Sequence, residues 1–252
     1  MIRGLYSAAS GMVAIEQRQS AISNNIANAS TPGFKRQAPV QLGFYEVFTD
    51  SPRRPYYFNQ DSAPGGGTKF VETYTDTTLG MMRSTDNPLH AGLLGPGYFV
   101  VDTPEGERYT RSGDFTRSPE GYLVTATGDP VQSVTGGPIS VDGASIAVGP
   151  DGTVEVDGLA AGKIRLIEFS APERLTRTGM NEYSASGEVL RQSSVAANTT
   201  VQQKQLEMSN VQLPNEMINL MLGMRAYEAN QRVITAVDGT MGRLIEQVGM
   251  PS

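Results

Sequence analysis

Proline placement divides this chain into regions that can and cannot form long helices. No proline precedes Pro32, thirteen of the fifteen lie between Pro32 and Pro172, and only Pro214 and Pro251 follow. An interior proline removes a helical hydrogen bond and clashes with the preceding turn, at a cost of ~3 kcal/mol or more. Glycine-rich turns fill the same middle region. The two ends can therefore be long helices, and the middle cannot.

Both ends carry a heptad seam. Leu5, Ala8, Met12, Ile15, Gln19, Ile22 and Ile26 follow one another in steps of three and four, with only Gln19 polar. Leu213, Met217, Leu220, Met224, Tyr227, Gln231, Ile234, Asp238, Met241, Ile245 and Val248 repeat the pattern, interrupted at Gln231 and Asp238. Sustained spacing of this kind is the signature of helices packed side by side. At ~1.5 Å per residue the first helix would span ~36 Å. An isolated helix is marginal in water, so each seam needs a partner. The simplest partner is the other end of the chain. Docking of both helices onto the central region satisfies the spacing equally well.

The middle reads as β. Tyr98 to Asp102 predicts a strand, Thr103-Pro104-Glu105-Gly106 a turn, and the chain returns toward Tyr109. A second hairpin turns at Ser118-Pro119-Glu120-Gly121, and a third at Pro150-Asp151-Gly152. Proline presets φ and glycine accepts positive φ, so these turns have a mechanism. Lys163 to Phe169 predicts a further strand, with Ile164, Leu166 and Glu168 on one face. Strands at short regular spacing predict a barrel or sandwich. The expected fold class is α+β, with long terminal helices in a discontinuous coiled-coil-like domain and a central all-β domain. The expected boundaries are 1–35 plus 200–252 for the helical domain, 36–84 for an extended connector and 85–199 for the β domain. Tyr56, Tyr57 and Phe58 in the connector would fill a local core or dock on a neighbouring surface.

The chemistry-bearing residues are sparse. The formal net charge is -6, with no basic stripe of the sort nucleic acid requires, so no nucleic-acid partner is expected. The pairs Lys35-Arg36 and Arg53-Arg54 read as solvated loop charges. The chain has no cysteine, which excludes disulfides and thiolate metal sites. His90 is the sole histidine, too few for a histidine-rich zinc site. No G-x-S-x-G elbow and no nucleotide-binding loop is present. The chain therefore reads as a non-enzyme with no cofactor and no metal. A cell-wall hydrolase using a carboxylate pair from distant strands stays open. No apolar run is long enough to span a membrane, and the first residues lack the apolar core of a cleaved secretory signal, so export would leave the N-terminus in place.

One stretch resists a purely local reading. Asn24, Asn25 and Asn28 fall in the last turns of the first helix, just before Ser30-Thr31-Pro32-Gly33-Phe34. Asparagine is a poor interior helix former, because its amide competes for backbone groups. Capping accounts for Asn28 but not for Asn24 and Asn25.

Three blocks carry a resemblance. Asn24 to Lys35, NNIANASTPGFK, resembles the N-terminal signature of bacterial flagellar rod and hook proteins. Asp86 to Val131 looks like their shared core segment, with its G-x-G-[YF]-F-x-V and Y-T-R-x-G-x-F elements at Gly95 to Val101 and Tyr109 to Phe115. Leu206 to Ile245 resembles their closing helix. The length and the wording of Ala29 to Gly33 lean toward the proximal-rod members, while Arg225-Ala226-Tyr227-Glu228 is also similar to the distal-rod member. The resemblance implies a structural subunit of the rod in the flagellar basal body. Such a subunit would leave the cell through the flagellar export apparatus and polymerise helically with copies of itself and with neighbouring rod and hook proteins. It would transmit torque and line the export channel, without membrane insertion. The assembly interface would use Leu5, Met12, Ile15, Ile22, Asn24, Asn25, Asn28, Leu220, Met224, Tyr227, Ile234 and Met241. The competing reading is a secreted adhesin-like or adaptor module that dimerises through its terminal helices.

Overall fold

The computed structural model describes residues 2–43, 68–179, 181–196 and 198–249. Arg53, Arg54, Tyr56, Tyr57, Phe58 and Gly65 to Gly67 of the expected connector lie outside the described residues. The elements run α1 (Ile2–Ala27), β1 (Gln37–Gly43), β2 (Thr68–Thr75), β3 (Met82–Ser84), β4 (Ala91–Leu94), β5 (Gly97–Thr103), β6 (Gly106–Thr110), β7 (Thr116–Arg117), β8 (Leu123–Val124) and β9 (Ile146–Val148). They continue with β10 (Thr153–Val156), β11 (Leu159–Lys163), β12 (Leu166–Phe169), β13 (Thr176–Gly179), β14 (Glu182–Ser184), the short α2 (Gly187–Arg191), β15 (Ser193–Val195), β16 (Thr200–Gln203), β17 (Gln205–Glu207) and α3 (Leu213–Gly249). The architecture is α+β: a helix at each end and a mostly β middle. Pro214 falls in the first turn of α3, where its missing N–H has no intrahelical partner to lose.

The chain divides into two compact units, residues 1–27, 37–75 and 212–252 in one, and residues 28–36 and 76–211 in the other. The helical unit contains α1, α3 and the antiparallel pair β1–β2. The pair begins where an extended connector was expected, with Gln37 opposite Thr75.

The β unit is organised around a six-stranded sheet in the order β13-β14-β6-β5-β12-β15. The expected hairpins form at β5–β6, β7–β8 and β9–β10. Strand β5 is apolar from Tyr98 to Val101 because both faces of this sheet are covered there. Phe99 and Val101 enter one cluster with Leu93, Phe115, Ile164 and Leu166. Tyr98 and Val100 enter the other with Tyr109, Ile167, Phe169 and Tyr183. Each fully buried side chain of this size contributes ~1.5–3 kcal/mol. The expected strand Lys163 to Phe169 is broken at Ile164 and Arg165 between β11 and β12. Ile164 and Leu166 share one cluster as the alternation predicts, and Ile167 and Phe169 are buried in the other.

Candidate assembly surface

Helices α1 and α3 pack antiparallel. A Cβ added at Gly223 would lie 3.4 Å from the Gln19 side chain, and one added at Gly11 would lie 3.2 Å from Asn230 Nδ2. Gln19, the polar break in the first seam, thus lies over a glycine. On α1 the seam residue Ile22 is buried, as is Ala8. Met12 and Ile15 of α1, and Leu220 and Ile234 of α3, are half-buried. Leu5, Met224, Tyr227 and Met241 are exposed. The structure therefore covers only part of the expected seam within the subunit.

Apolar residues of α3 fall on two sides of the helix. Gly223, Asn230, Ile234 and Val237 mark the side that is at least partly covered. Met217, Met221 and Met224, with Ile218 and Leu222 beside them, recur on the other side and are all exposed. Helix α1 has an outer strip as well: Tyr6 is 66% exposed and Val13 55%. Asn24, four residues beyond Ser20 in the same heptad register as Tyr6 and Val13, is also exposed.

The amides of the opening motif separate by environment. Asn25 is fully buried. Its Nδ2 donates to the Gln37 carbonyl at 2.8 Å, and its Oδ1 accepts the Gln37 N–H at 2.9 Å. The side chain thus reproduces a strand partner for the first residue of β1, inside the subunit. Asn28 closes the helix locally: Thr31 N–H donates to its carbonyl at 3.1 Å, and the Thr31 hydroxyl donates to its Oδ1 at 3.3 Å.

The remainder of the motif is held by buried charge. Gly33 has φ +68, and a Cβ there would lie 2.4 Å from the Ser112 backbone nitrogen, so only glycine fits. Its N–H donates to the Glu207 carbonyl at 2.6 Å. The Arg177 guanidinium lies 4.1 Å from the centre of the buried Phe34 ring. Lys35 Nζ donates to Glu207 Oε1 at 2.5 Å and to the Thr78 carbonyl at 2.7 Å. Gly80 N–H donates to the same Glu207 oxygen at 2.9 Å, and Arg111 Nη1 lies 3.7 Å from Oε2. Burial pulls the Lys35 ammonium below its ordinary value, and Glu207 opposes that pull. Asn210 adds a clasp, accepting from Arg36 N–H at 2.7 Å and donating to the Asp76 carbonyl at 3.0 Å.

Lys35 is therefore no solvated loop charge, which corrects the expectation from sequence. Its partner Glu207, and the Arg111 that lies beside the same carboxylate, are far away in the chain, and no spacing rule joins them. The one available signal is the position of Lys35 directly after Gly33 and Phe34, in a motif too specific for a free loop. His90, by contrast, bridges Asp114 through Nε2 at 2.9 Å and the Thr85 hydroxyl through Nδ1 at 3.0 Å. Among the described residues no group of acidic or histidine side chains is placed to hold a metal ion, and no helix is long and apolar enough to cross a membrane.

Known proteins match in the same three blocks. The family described as "Flagella basal body rod protein" matches residues 5–35. "Flagellar hook protein FlgE/F/G D1 domain" matches residues 93–156, and "Flagellar basal body rod FlgEFG protein C-terminal" matches residues 202–247. The chain is 30% identical to the flagellar basal-body rod protein FlgG of Bacillus subtilis, over 97% of this chain and 98% of that one. It is 34% identical to FlgG of Caulobacter vibrioides, over 94% of this chain and 96% of that one. Similarity to FlgF of Rhizobium meliloti, 33% identical, covers 46% of this chain and 43% of that one.

Proposed function

The chain belongs to the flagellar basal-body rod protein family and is a structural subunit of the rod, and from that premise we propose how it polymerises. Helices α1 and α3 form the inner, tube-lining layer, in coiled-coil-like contact with the helices of neighbouring copies. The interface combines the exposed seam residues Leu5, Met224, Tyr227 and Met241 with the outer strips Tyr6–Val13–Asn24 and Met217–Met221. Ile22, Met12, Ile15, Leu220 and Ile234 stiffen the α1–α3 pair beneath it. Asn25 and Asn28 serve inside the subunit by fixing the exit from α1.

The observation that carries this reading is that α3 is apolar on two sides while α1 packs against one of them. A helix with two apolar sides needs two partners. A strip meeting a different strip on the next copy is heterologous, and repetition builds a helical polymer instead of a closed dimer. The partners are copies of this chain and neighbouring rod and hook proteins. Delivery is through the flagellar export apparatus.

The test is polymerisation of the full-length chain, followed by light scattering and electron microscopy. Val13→Glu and Met221→Glu, each on an outer strip, should abolish polymer while leaving the near-ultraviolet signal of the β-unit tyrosines unchanged. Normal polymer from both variants, or a wild-type chain that stops at a twofold dimer, overturns the reading.

A further inference from the structure

We propose that Met217, Met221 and Met224 form an oxidation-sensitive modification site, at which a peroxide-class oxidant converts thioethers to sulfoxides and blocks docking of a second copy. The inference rests on the reading that the outer strip of α3 is a subunit interface. The chain has 11 methionines and no cysteine, so no thiol competes for the oxidant. The three methionines follow at steps of four and three and are 47%, 54% and 50% exposed, so each side chain is open to solvent in the free subunit. Ile218 and Leu222 lie beside them and are exposed as well.

The chemistry balances without a further reactant. The thioether sulfur attacks one peroxide oxygen, the O–O bond breaks, an S–O bond forms, and the second oxygen leaves as water. Sulfur loses two electrons and the peroxide gains them. The product replaces a flexible apolar side chain by a strongly dipolar one. Isoleucine and leucine neighbours offer the new oxygen no hydrogen-bond donor, so an apolar partner surface closing over it would leave it unpaired. Methionine also adapts to irregular gaps, and the sulfoxide forfeits that advantage.

The experiment treats the full-length subunit with hydrogen peroxide, maps added oxygen by peptide mass spectrometry, and measures the concentration needed to polymerise. Oxidation at the three positions should raise that concentration by about tenfold or more, and sulfoxide reductase should restore it. The triple Leu variant (M217L, M221L and M224L), made in a Met241→Leu background because Met241 is also exposed in the interface, keeps an apolar strip and should polymerise equally with and without peroxide. Met81, 80% exposed in the β unit, oxidises alongside and serves as the control: Met81→Leu should remain peroxide-sensitive. Unimpaired polymerisation of the oxidised wild-type chain, or peroxide sensitivity retained in the triple variant, overturns the inference while leaving the interface reading intact. Normal polymerisation of unoxidised Met221→Glu takes the outer strip of α3 out of the interface, and this inference falls with it.

Discussion

Glu207 holds the Lys35 ammonium 2.5 Å from its carboxylate, and neither side chain exposes more than 1% of its surface. One residue follows the exit from α1 and the other precedes the entry to α3. A buried pair of this kind contributes little net stability, yet breaking it by removing one partner costs ~3–5 kcal/mol, because the other charge is left uncompensated. The two partners differ in what they leave behind. Lys35→Met leaves Glu207 facing Arg111, whereas Glu207→Gln leaves both Lys35 and Arg111 without a carboxylate. Glu207→Gln should therefore lower the denaturation midpoint of the β unit more than Lys35→Met does. An equal or reversed order in urea titrations would show that Arg111 does not share the carboxylate.

Backbone shape makes a sharper prediction at Gly33. Alanine at positive φ is strained wherever it stands, by ~1–3 kcal/mol. Gly33 (φ +68) adds a clash with Ser112 and Arg111, whereas a Cβ at Gly158 (φ +80) meets nothing within 4 Å. Gly33→Ala should thus destabilise clearly more than Gly158→Ala, and the difference between the two midpoints reports the clash alone. Equal effects would mean that the motif's loop can move away from Ser112.

High pH should expose the two-sided core. Burial pushes the phenols of Tyr109 and Tyr183 up to about 12. In the unfolded chain these phenols ionise near 10, so between that value and about 12 the folded state holds protons that the unfolded state has released. Their contribution to stability is complete below the lower value and is lost as pH rises through the window. Lys35 acts in the opposite sense. Its folded ammonium gives up its proton below the unfolded value of 10.5, so this burial cost is relieved as pH rises toward that point. Stability should hold up to about pH 10 and then fall steeply. Tyrosinate absorbance should show Tyr109 and Tyr183 ionising together with unfolding, and early ionisation of all ten tyrosines in a folded chain would contradict it.

The two neighbouring amides should separate cleanly. Asn25→Ala removes two hydrogen bonds from a fully buried site and leaves the Gln37 backbone groups without those partners, at ~1–3 kcal/mol. Asn24→Ala changes an exposed position and should lower the subunit's melting temperature less than Asn25→Ala does, while weakening polymerisation. Thermal melts paired with light scattering read both effects. Normal polymer from Asn24→Ala would take Asn24 out of the interface.

What was legible in the sequence follows a physical divide. Proline placement and turn chemistry act locally, so the terminal helices and the hairpins at Thr103–Gly106, Ser118–Gly121 and Pro150–Gly152 could be read directly. Heptad spacing located apolar positions but not their partners. Met217 and Leu220 belong to one register in sequence, yet Met217 is exposed and Leu220 half-buried in the structure. The Lys35–Glu207 contact spans 172 residues, and no periodicity reports a contact formed by tertiary folding alone. The β1–β2 pair was missed because Pro39 and the glycines beyond it read as breakers, although proline is tolerated in a two-stranded pair with an open edge.

Hydrogen exchange on the dilute subunit tests the division between the two units. Sequence alone expects fast exchange over 1–35 and 200–252, because each seam lacks the neighbouring copies that would bury it. The structure moves that boundary. Residues 28–36 belong to the β unit, where Gly33 N–H is bonded to Glu207 and Arg36 N–H to Asn210. β16 and β17 at the other end pair with β4 and β3. Amides of α1 and α3, whose seams are only partly covered within the subunit, should exchange faster than those of the sheet, while Gly33, Arg36 and residues 200–207 exchange slowly with it. Polymerisation should then protect the helices and leave the protection of 28–36 unchanged. Fast exchange at Gly33 and Arg36 in the free subunit would mean that the Glu207 and Asn210 contacts form only on assembly. Slow exchange along the whole of α3 would mean that its outer strip already has a partner in the dilute state, and the closed-dimer alternative would take precedence.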